Sequence, residues 1–232
     1  MITVEAIDEK IKPVKDTLLT NQHVSISDDP TVFTSIYQAQ INLAIWQRKL
    51  SINLQKSVSS FLEFNPNFRL EIITNLADVQ SHIDNAFKKH DHGLNLSELN
   101  NDISELVEMF SYLFELNQVG LRLHTVDHAM CPKFHIDKVP CRLVTTYQGS
   151  ATQWLGHEVV DHTKLGLGSN GLPDSVSGLC KTQENIKQMR FGDVALMKGA
   201  LWQENENFAL VHRSPDLSNN ENRLLLTLDF IN

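Results

Sequence analysis

The chain has 232 residues, with 28 acidic and 20 basic side chains and a formal net charge of −8. This length predicts one large domain or two small ones with a substantial core. An apolar content of 41% with 21% charged residues excludes disordered and fibrous classes. The acidic balance argues against a nucleic-acid partner, because such a protein needs a basic surface facing the phosphates.

The sequence also predicts a cytoplasmic protein with no membrane partner. It contains no run of 18 apolar residues, so no segment is expected to span a membrane. Residues 1–15 carry acids and no apolar core, which does not fit a secretory signal. Three cysteines, an odd number, favour reduced thiols over a disulfide framework.

The distribution of glycine predicts two parts, because only two of the ten glycines lie within residues 1–120. Apolar residues three or four apart predict helices in the first part, at residues 31–62, 76–87 and 95–116. Asp28 and Asp29 before Pro30 are typical of a helix start. We therefore expect a helical region at residues 1–118, packed as one unit against the rest because no flexible linker follows it.

The second part, residues 119–232, alternates between apolar and polar residues and predicts strands at 120–124, 142–147, 193–197 and 223–230. Several short strands separated by turns favour a β-sandwich or jelly roll, and hence an α+β fold. Five glycines between residues 156 and 190 predict a long loop or lid.

The segment Phe134-His135-Ile136-Asp137 is the main candidate for chemistry. On a strand, His135 and Asp137 would project to the same side, because residues two apart share a face. One imidazole and one carboxylate are two of the three ligands of a facial triad for non-haem iron(II). His212, which lies 77 residues after His135, is the candidate for the third ligand.

Arg223 follows His212 by 11 residues, and a Gly-Asp turn with an apolar strand precedes it at residues 192–197. Together with His-x-Asp, this ordered set resembles the iron(II)/2-oxoglutarate-dependent oxygenase superfamily. The resemblance implies a C-terminal double-stranded β-helix, a jelly roll of the cupin type, against which the helical region packs. It also implies that Arg223 binds the far carboxylate of 2-oxoglutarate, with help from Tyr147. Members often carry Ser or Thr two residues after the arginine, whereas here Thr227 comes four residues after it.

A tighter resemblance, over residues 119–232, is to a bacterial domain family of unknown function. The shared segments are Cys-Pro-x-Phe-His-x-Asp at 131–137, Thr-Tyr-x-Gly at 146–149 and His-Arg-Ser-Pro at 212–215. This family brings no established activity, and some members lie near zinc-homeostasis genes, which keeps zinc(II) as an alternative metal. Cys131 and Cys141 are the candidate thiolate ligands for zinc, although buried, inert cysteines are the commoner outcome.

The last predicted strand has an apolar face and a face that carries Arg223, Thr227 and Asp229. Charged residues facing a sheet interior are costly unless paired, so this face predicts a polar cavity. The alternative is a solvent-exposed face on an edge strand. Arg142 and Arg213 are alternative anion partners if Arg223 faces away from the cavity.

Two functions fit these residues. The first is an iron(II)/2-oxoglutarate oxygenase that oxidises an unknown small-molecule or protein substrate. In it, His135, Asp137 and His212 hold the iron. The alternative is a metal-handling protein that holds zinc(II) on the same barrel without turnover. A metal-free sugar- or peptide-binding jelly roll is a third, weaker option. The sequence leaves the oligomeric state open, although the helical part could support a homodimer.

Overall fold

A computed structural model describes residues 23–203, 205, 207–218 and 221–231. The expectation about residues 1–15 lies outside these ranges. No helix in the described ranges is both long enough and apolar enough to cross a membrane.

Seven strands form the main sheet. They are β1 (Val24–Ser27), β2 (Leu43–Trp46), β3 (Arg69–Thr74), β4 (Val119–Val126), β5 (Cys141–Gln148), β8 (Val194–Lys198) and β10 (Arg223–Phe230). Their order across the sheet is β1-β2-β8-β5-β10-β4-β3, and only the β1–β2 pair is parallel.

Three shorter strands form a second, antiparallel sheet in the order β7-β6-β9. They are β6 (Gln153–Leu155), β7 (Ile186–Gln188) and β9 (Val211–Arg213). The helices are α1 (Ile52–Phe64), α2 (Val79–Phe87), α3 (Ser97–Phe114) and the single turn α4 (Asp174–Ser177). The segment predicted as a long loop or lid, residues 156–190, consists mainly of short 3₁₀ turns together with α4 and β7.

The two faces of the main sheet pack against different partners. On one face, Leu224, Leu226 and Leu228 of β10 join the large apolar core formed with α1, α2 and α3. On the other face, Val144 and Met197 pack with Trp154 of the second sheet. The strict alternation along β10 therefore separates a dry helical side from a side that faces the second sheet.

The predicted helix at 31–62 is wrong, because this stretch holds three elements. Pro30–Tyr37 is a 3₁₀ helix, whose first turn is capped by Asp29 as predicted: its Oδ1 accepts a hydrogen bond from Thr31 N at 2.8 Å. Leu43–Trp46 is β2, and only Ile52–Phe64 is α-helical. Strand β2 lies between β1 and β8 and is buried on both faces, so its continuous apolar run imitates helical spacing.

The first part of the chain is therefore not helical throughout. It contributes β1, β2 and β3 to the main sheet, and the structure is a mixed α/β architecture dominated by sheets. The helices predicted at 76–87 and 95–116 are confirmed as α2 and α3, and the four predicted strands as β4, β5, β8 and β10. The division at residue 118 stays a prediction, although sheet pairing crosses it between β3 and β4.

A buried ion pair joins the helices to the sheet. Arg48 donates to both carboxylate oxygens of Asp102 on α3, at 2.6 and 2.8 Å, and only 10% and 13% of these side chains are exposed. Tyr147 of β5 donates from its hydroxyl to the same carboxylate at 2.7 Å. One carboxylate thus connects the loop after β2, helix α3 and strand β5.

We expect Asp102→Asn to lower the free energy of unfolding by about 3–5 kcal/mol, because it leaves the Arg48 charge buried without a counterion. Tyr147→Phe keeps the ion pair and should cost only about 1 kcal/mol, the value of one hydrogen bond. Urea unfolding of both variants measures the difference. Equal losses in the two variants would contradict this account of the ion pair.

Candidate metal centre and cavity

His135 and His212 are held side by side by their own backbones. The N–H of each residue donates to the carbonyl of the other, both at 3.0 Å. His212 lies on β9, but the segment 134–137 is not the predicted strand, since this bridge is its only sheet pairing. The bridge nevertheless brings the two imidazole rings to a centroid separation of 4.6 Å.

Asp137 completes the cluster. Its Oδ1 lies 3.6 Å from His135 Nε2, and its Oδ2 lies 3.4 Å from His212 Nε2. One ligand atom from each of the three residues lies within 4.8 Å of the others, and in the described part of the chain no other group of His, Cys, Asp or Glu meets this criterion. The structure thus brings together the three ligands that the sequence predicts.

The second nitrogen of each imidazole faces a backbone carbonyl. His135 Nδ1 lies 2.9 Å from Lys133 O, and His212 Nδ1 lies 3.2 Å from Leu210 O. A proton on Nδ1 satisfies these carbonyls and leaves the Nε2 lone pairs free to point at the shared centre. Contacts of this kind fix the tautomer and orientation of metal-binding histidines.

A chain of alternating charges anchors Asp137 to the main sheet. Arg142 of β5 donates from Nη1 to Asp137 Oδ2 and from Nε to Asp229 Oδ1, both at 2.7 Å. Asp229 of β10 also pairs with Arg122 of β4. Burial alone would raise the pKa of Asp137, but the adjacent His135 and His212 and the positive charge of Arg142 hold that pKa well below its usual range. The carboxylate is therefore ionised and available as a ligand at neutral pH.

The turn at Gly199 packs directly against the loop that carries Asp137. Ala200 N donates to Asp137 O at 2.8 Å, and Gly199 N donates to Pro140 O at 2.9 Å. A Cβ atom at position 199 would lie 2.1 Å from Val139 O and 2.8 Å from Asp137 O. Only glycine permits this backbone approach, because the atoms it would displace are themselves backbone.

His135 and His212 line a cavity of about 390 Å³ between the two sheets. The lining residues are Arg69, Glu71, Arg122, His124, Met130, Cys131, His135, Arg142, Val144, Thr152, Met197, His212, Arg213, Ser214, Leu225 and Thr227. Leu225 and Thr227 belong to the predicted polar face of β10, which therefore borders a cavity rather than open solvent.

Arg223 is fully buried at the start of the same face of β10. Its Nη2 donates to Thr146 Oγ1 at 3.3 Å, while Nε and Nη1 have no hydrogen-bond partner within the described residues. Burial lowers the pKa of this guanidinium to about 10, and the charge of Glu221 offsets only part of that effect. A buried guanidinium with two unpaired donor atoms has the chemistry to bind a carboxylate.

Tyr147 and Cys141 are not brought to this cavity. Both belong to the apolar core on the helical face of the sheet, where the Tyr147 hydroxyl is occupied by Asp102. Burial is also the main reason that the pKa of the Cys141 thiol is raised, which disfavours a thiolate ligand. Cys131 lines the cavity but does not belong to the three-residue cluster.

Sequence reasoning missed the cavity wall formed by Arg69 and Glu71 of β3 and by Arg122 of β4. No strand is predicted at 69–74, so the position of Arg69 and Glu71 in the same cavity as His135 and His212 could not be anticipated. The alternation of Arg69, Leu70, Glu71 and Ile72 is the signal that could have found β3.

Residues 27–229 match the family described as protein of unknown function (DUF1826). The chain belongs to this family. No curated protein matches the chain. The family assignment agrees with the resemblance seen in the sequence and carries no activity of its own.

Similar solved structures include several oxygenases. A dioxygenase for auxin oxidation from Arabidopsis thaliana, in complex with 2-oxoglutarate, is 7% identical with a TM-score of 0.49, over 90% of this chain and 92% of that one. A prolyl-4-hydroxylase from Pseudomonas putida is 10% identical with a TM-score of 0.41, over 86% and 96%. HygX from Streptomyces hygroscopicus, with nickel and 2-oxoglutarate bound, is 12% identical with a TM-score of 0.42, over 86% and 85%.

We expect Gly199→Ala to weaken metal binding by at least about 10-fold, a loss comparable to removing a contact that orients a ligand. The added methyl group must push the Asp137 loop away from His135 and His212. Titration with iron(II) or zinc(II) measures the affinity. Gly171→Ala is the control, because a Cβ there meets no atom within 4 Å although its φ of 78° is also unfavourable for alanine. Equal metal affinity in both variants would show that the Gly199 contact does not position the ligands.

Proposed function

We propose that the protein is an iron(II)- and 2-oxoglutarate-dependent oxygenase in which His135, Asp137 and His212 hold the metal. The observation that carries the proposal is the convergence of two imidazoles and one carboxylate, with both imidazoles on the wall of a cavity. Two histidines and one carboxylate with open positions favour non-haem iron(II), whereas closed zinc sites commonly include thiolates. The cluster includes no cysteine from the described residues.

The co-substrate site is proposed at Arg223. Its unpartnered Nε and Nη1 could each donate a hydrogen bond to a carboxylate from a planar, permanently charged group, which lysine could not reproduce. Leu225, two residues further on the same face of β10, lines the cavity, as does Thr227. Bound iron and 2-oxoglutarate would supply the oxidising chemistry, which the side chains of this protein do not possess.

The chain's own residues orient and shield this chemistry. Arg142 donates hydrogen bonds to both Asp137 and Asp229, and because Asp229 belongs to the main sheet, Asp137 is held in place against that sheet. The carbonyls of Lys133 and Leu210 fix the two imidazoles with Nε2 facing the centre. Only 8% of the His212 side chain and 15% of the Asp137 side chain are exposed, which limits the access of water to these two residues. We also propose a cytoplasmic location, with which the three free cysteines agree.

Metal analysis of protein purified without chelators tests the metal site. We expect His135→Ala to lower iron(II) affinity by at least about 100-fold, because it removes a ligand rather than a supporting contact. His128→Ala is the control, since His128 is exposed and lies outside the cluster. Anaerobic iron(II) with 2-oxoglutarate should give a weak visible charge-transfer band in the wild type. Stoichiometric zinc whose affinity falls in Cys131→Ser, with no such band, would support the metal-handling alternative instead.

Arg223→Met should separate stability from co-substrate binding. Without ligand, we expect this variant to be more stable than the wild type by about 1–3 kcal/mol, because it removes a buried charge with unused donors. With 2-oxoglutarate at 100 times its dissociation constant, the wild type should gain about 2.7 kcal/mol and the variant nothing. Thermal or urea unfolding with and without 2-oxoglutarate measures both effects. Equal stabilisation of wild type and variant by 2-oxoglutarate would exclude Arg223 from the site.

A further inference from the structure

The arginines of this acidic chain are concentrated at one place. Four of its seven arginines line the cavity, and a fifth, Arg223, is buried on the same face of β10. None of the 13 lysines is among the lining residues found in the described ranges. The preference for arginine indicates recognition of oxyanions by paired hydrogen bonds, which a lysine ammonium does not provide.

Two of the four lining arginines are already occupied. Arg142 is shared between Asp137 and Asp229. Arg213 donates to Gln153 Oε1 at 2.8 Å and lies 3.4 Å from Asp174 Oδ2. These two arginines therefore support the protein itself and are not free to bind a ligand.

Arg69 and Arg122 form the other pair, on neighbouring strands at the open edge of the main sheet. Arg69 lies opposite His124, and Arg122 lies opposite Glu71, so the two arginines are diagonal neighbours. Such positions are about 7–8 Å apart, within reach of two long side chains that meet on one ligand. Arg69 is exposed and has no carboxylate within 4.0 Å among the described residues.

The neighbouring acids leave this pair short of negative charge. Arg122 shares the single carboxylate of Asp229 with Arg142, and 45% of its side chain is exposed. Glu71 is the one acid that lines the cavity here, and its Oε1 lies 3.0 Å from His124 Nε2. Apart from the Asp229 carboxylate that Arg122 shares with Arg142, the two guanidiniums therefore face only Glu71 in the cavity wall, and Glu71 is already in contact with a histidine.

We propose that the substrate carries an oxyanion, a carboxylate or a phosphate, that is bound by Arg69 and Arg122. The inference rests on the proposed function, because it takes the ligand of this cavity to be the oxidised molecule. The remaining wall includes Val144, Met197 and Leu225, which suits an apolar body extending from the anionic end towards His135 and His212. A volume of about 390 Å³ is suitable for a small organic acid of this kind.

Calorimetry with three matched probes tests the inference, using the iron(II)-loaded chain under anaerobic conditions with saturating 2-oxoglutarate. Phenylacetate and phenyl phosphate carry an anion, and phenylacetamide is their neutral counterpart. We expect at least one anion to bind about 10-fold or more tightly than the amide, because a hydrogen bond to a charged group contributes that much. The tighter of the two anions identifies the substrate as a carboxylate or a phosphate ester.

Arg69→Gln and Arg122→Gln should each weaken binding of the preferred anion by about 10-fold or more. Arg190→Gln is the matched control, because it makes the same change in net charge at an exposed arginine that does not line the cavity. Glu71→Gln should strengthen anion binding, since it removes the competing carboxylate. This variant keeps the test valid even if Arg122→Gln unfolds through the loss of its pair with Asp229.

Equal binding of the amide and the anions, no binding of either anion, or unchanged affinity in Arg69→Gln and Glu71→Gln would overturn the inference. Failure of the proposed function has a different signature, namely the absence of the iron–2-oxoglutarate band from the wild type before any probe is added. Loss of 2-oxoglutarate binding in Arg69→Gln would also overturn the inference, because it would assign these arginines to the co-substrate.

Discussion

Two backbone hydrogen bonds between His135 and His212 are the constraint on which the candidate centre depends. They join residues that are 77 positions apart and set the centroids of the two imidazole rings 4.6 Å apart, close enough for both rings to face one metal ion. Because β9 is itself paired to β6, the bridge attaches an irregular loop to the second sheet. The two imidazoles therefore inherit their geometry from main-chain pairing and not from mutual attraction.

Asp137 is attached to the other sheet. Its carboxylate reaches Arg142, then Asp229, then Arg122, across three neighbouring strands of the main sheet. The centre thus lies where the two sheets are tied together, with its histidines held from one side and its carboxylate from the other. Such a network orients a ligand and also keeps buried charges paired, which is the condition for tolerating them near a core.

Much of this site could be predicted from the sequence, because short-range alternation and spacing carry the information. The two faces of β10 follow from such patterns, and so does the pairing of His135 with Asp137, whereas the assignment of His212 to the same cluster comes from the resemblance to the oxygenases. The errors come from long-range placement. Strand β2 is buried on both faces and therefore lacks alternation, while β3 lies within a part dominated by helical periodicity. The resemblance alone predicts Tyr147 at the co-substrate. Alternation along β5 argues against it, because Tyr147 shares its strand face with Cys141 and Leu143, opposite to Arg142.

The close contact at Gly199 has a consequence for how this protein can diverge. Any side chain at that turn would disturb the loop that holds Asp137, so the geometry there accommodates only glycine. Strand β3 is different, because it is the last strand of its sheet and its Arg69 and Glu71 are largely exposed. Substitutions on β3 leave His135, Asp137 and His212 untouched. Related proteins can therefore change which molecules they bind at this edge of the cavity while the three-residue cluster stays the same.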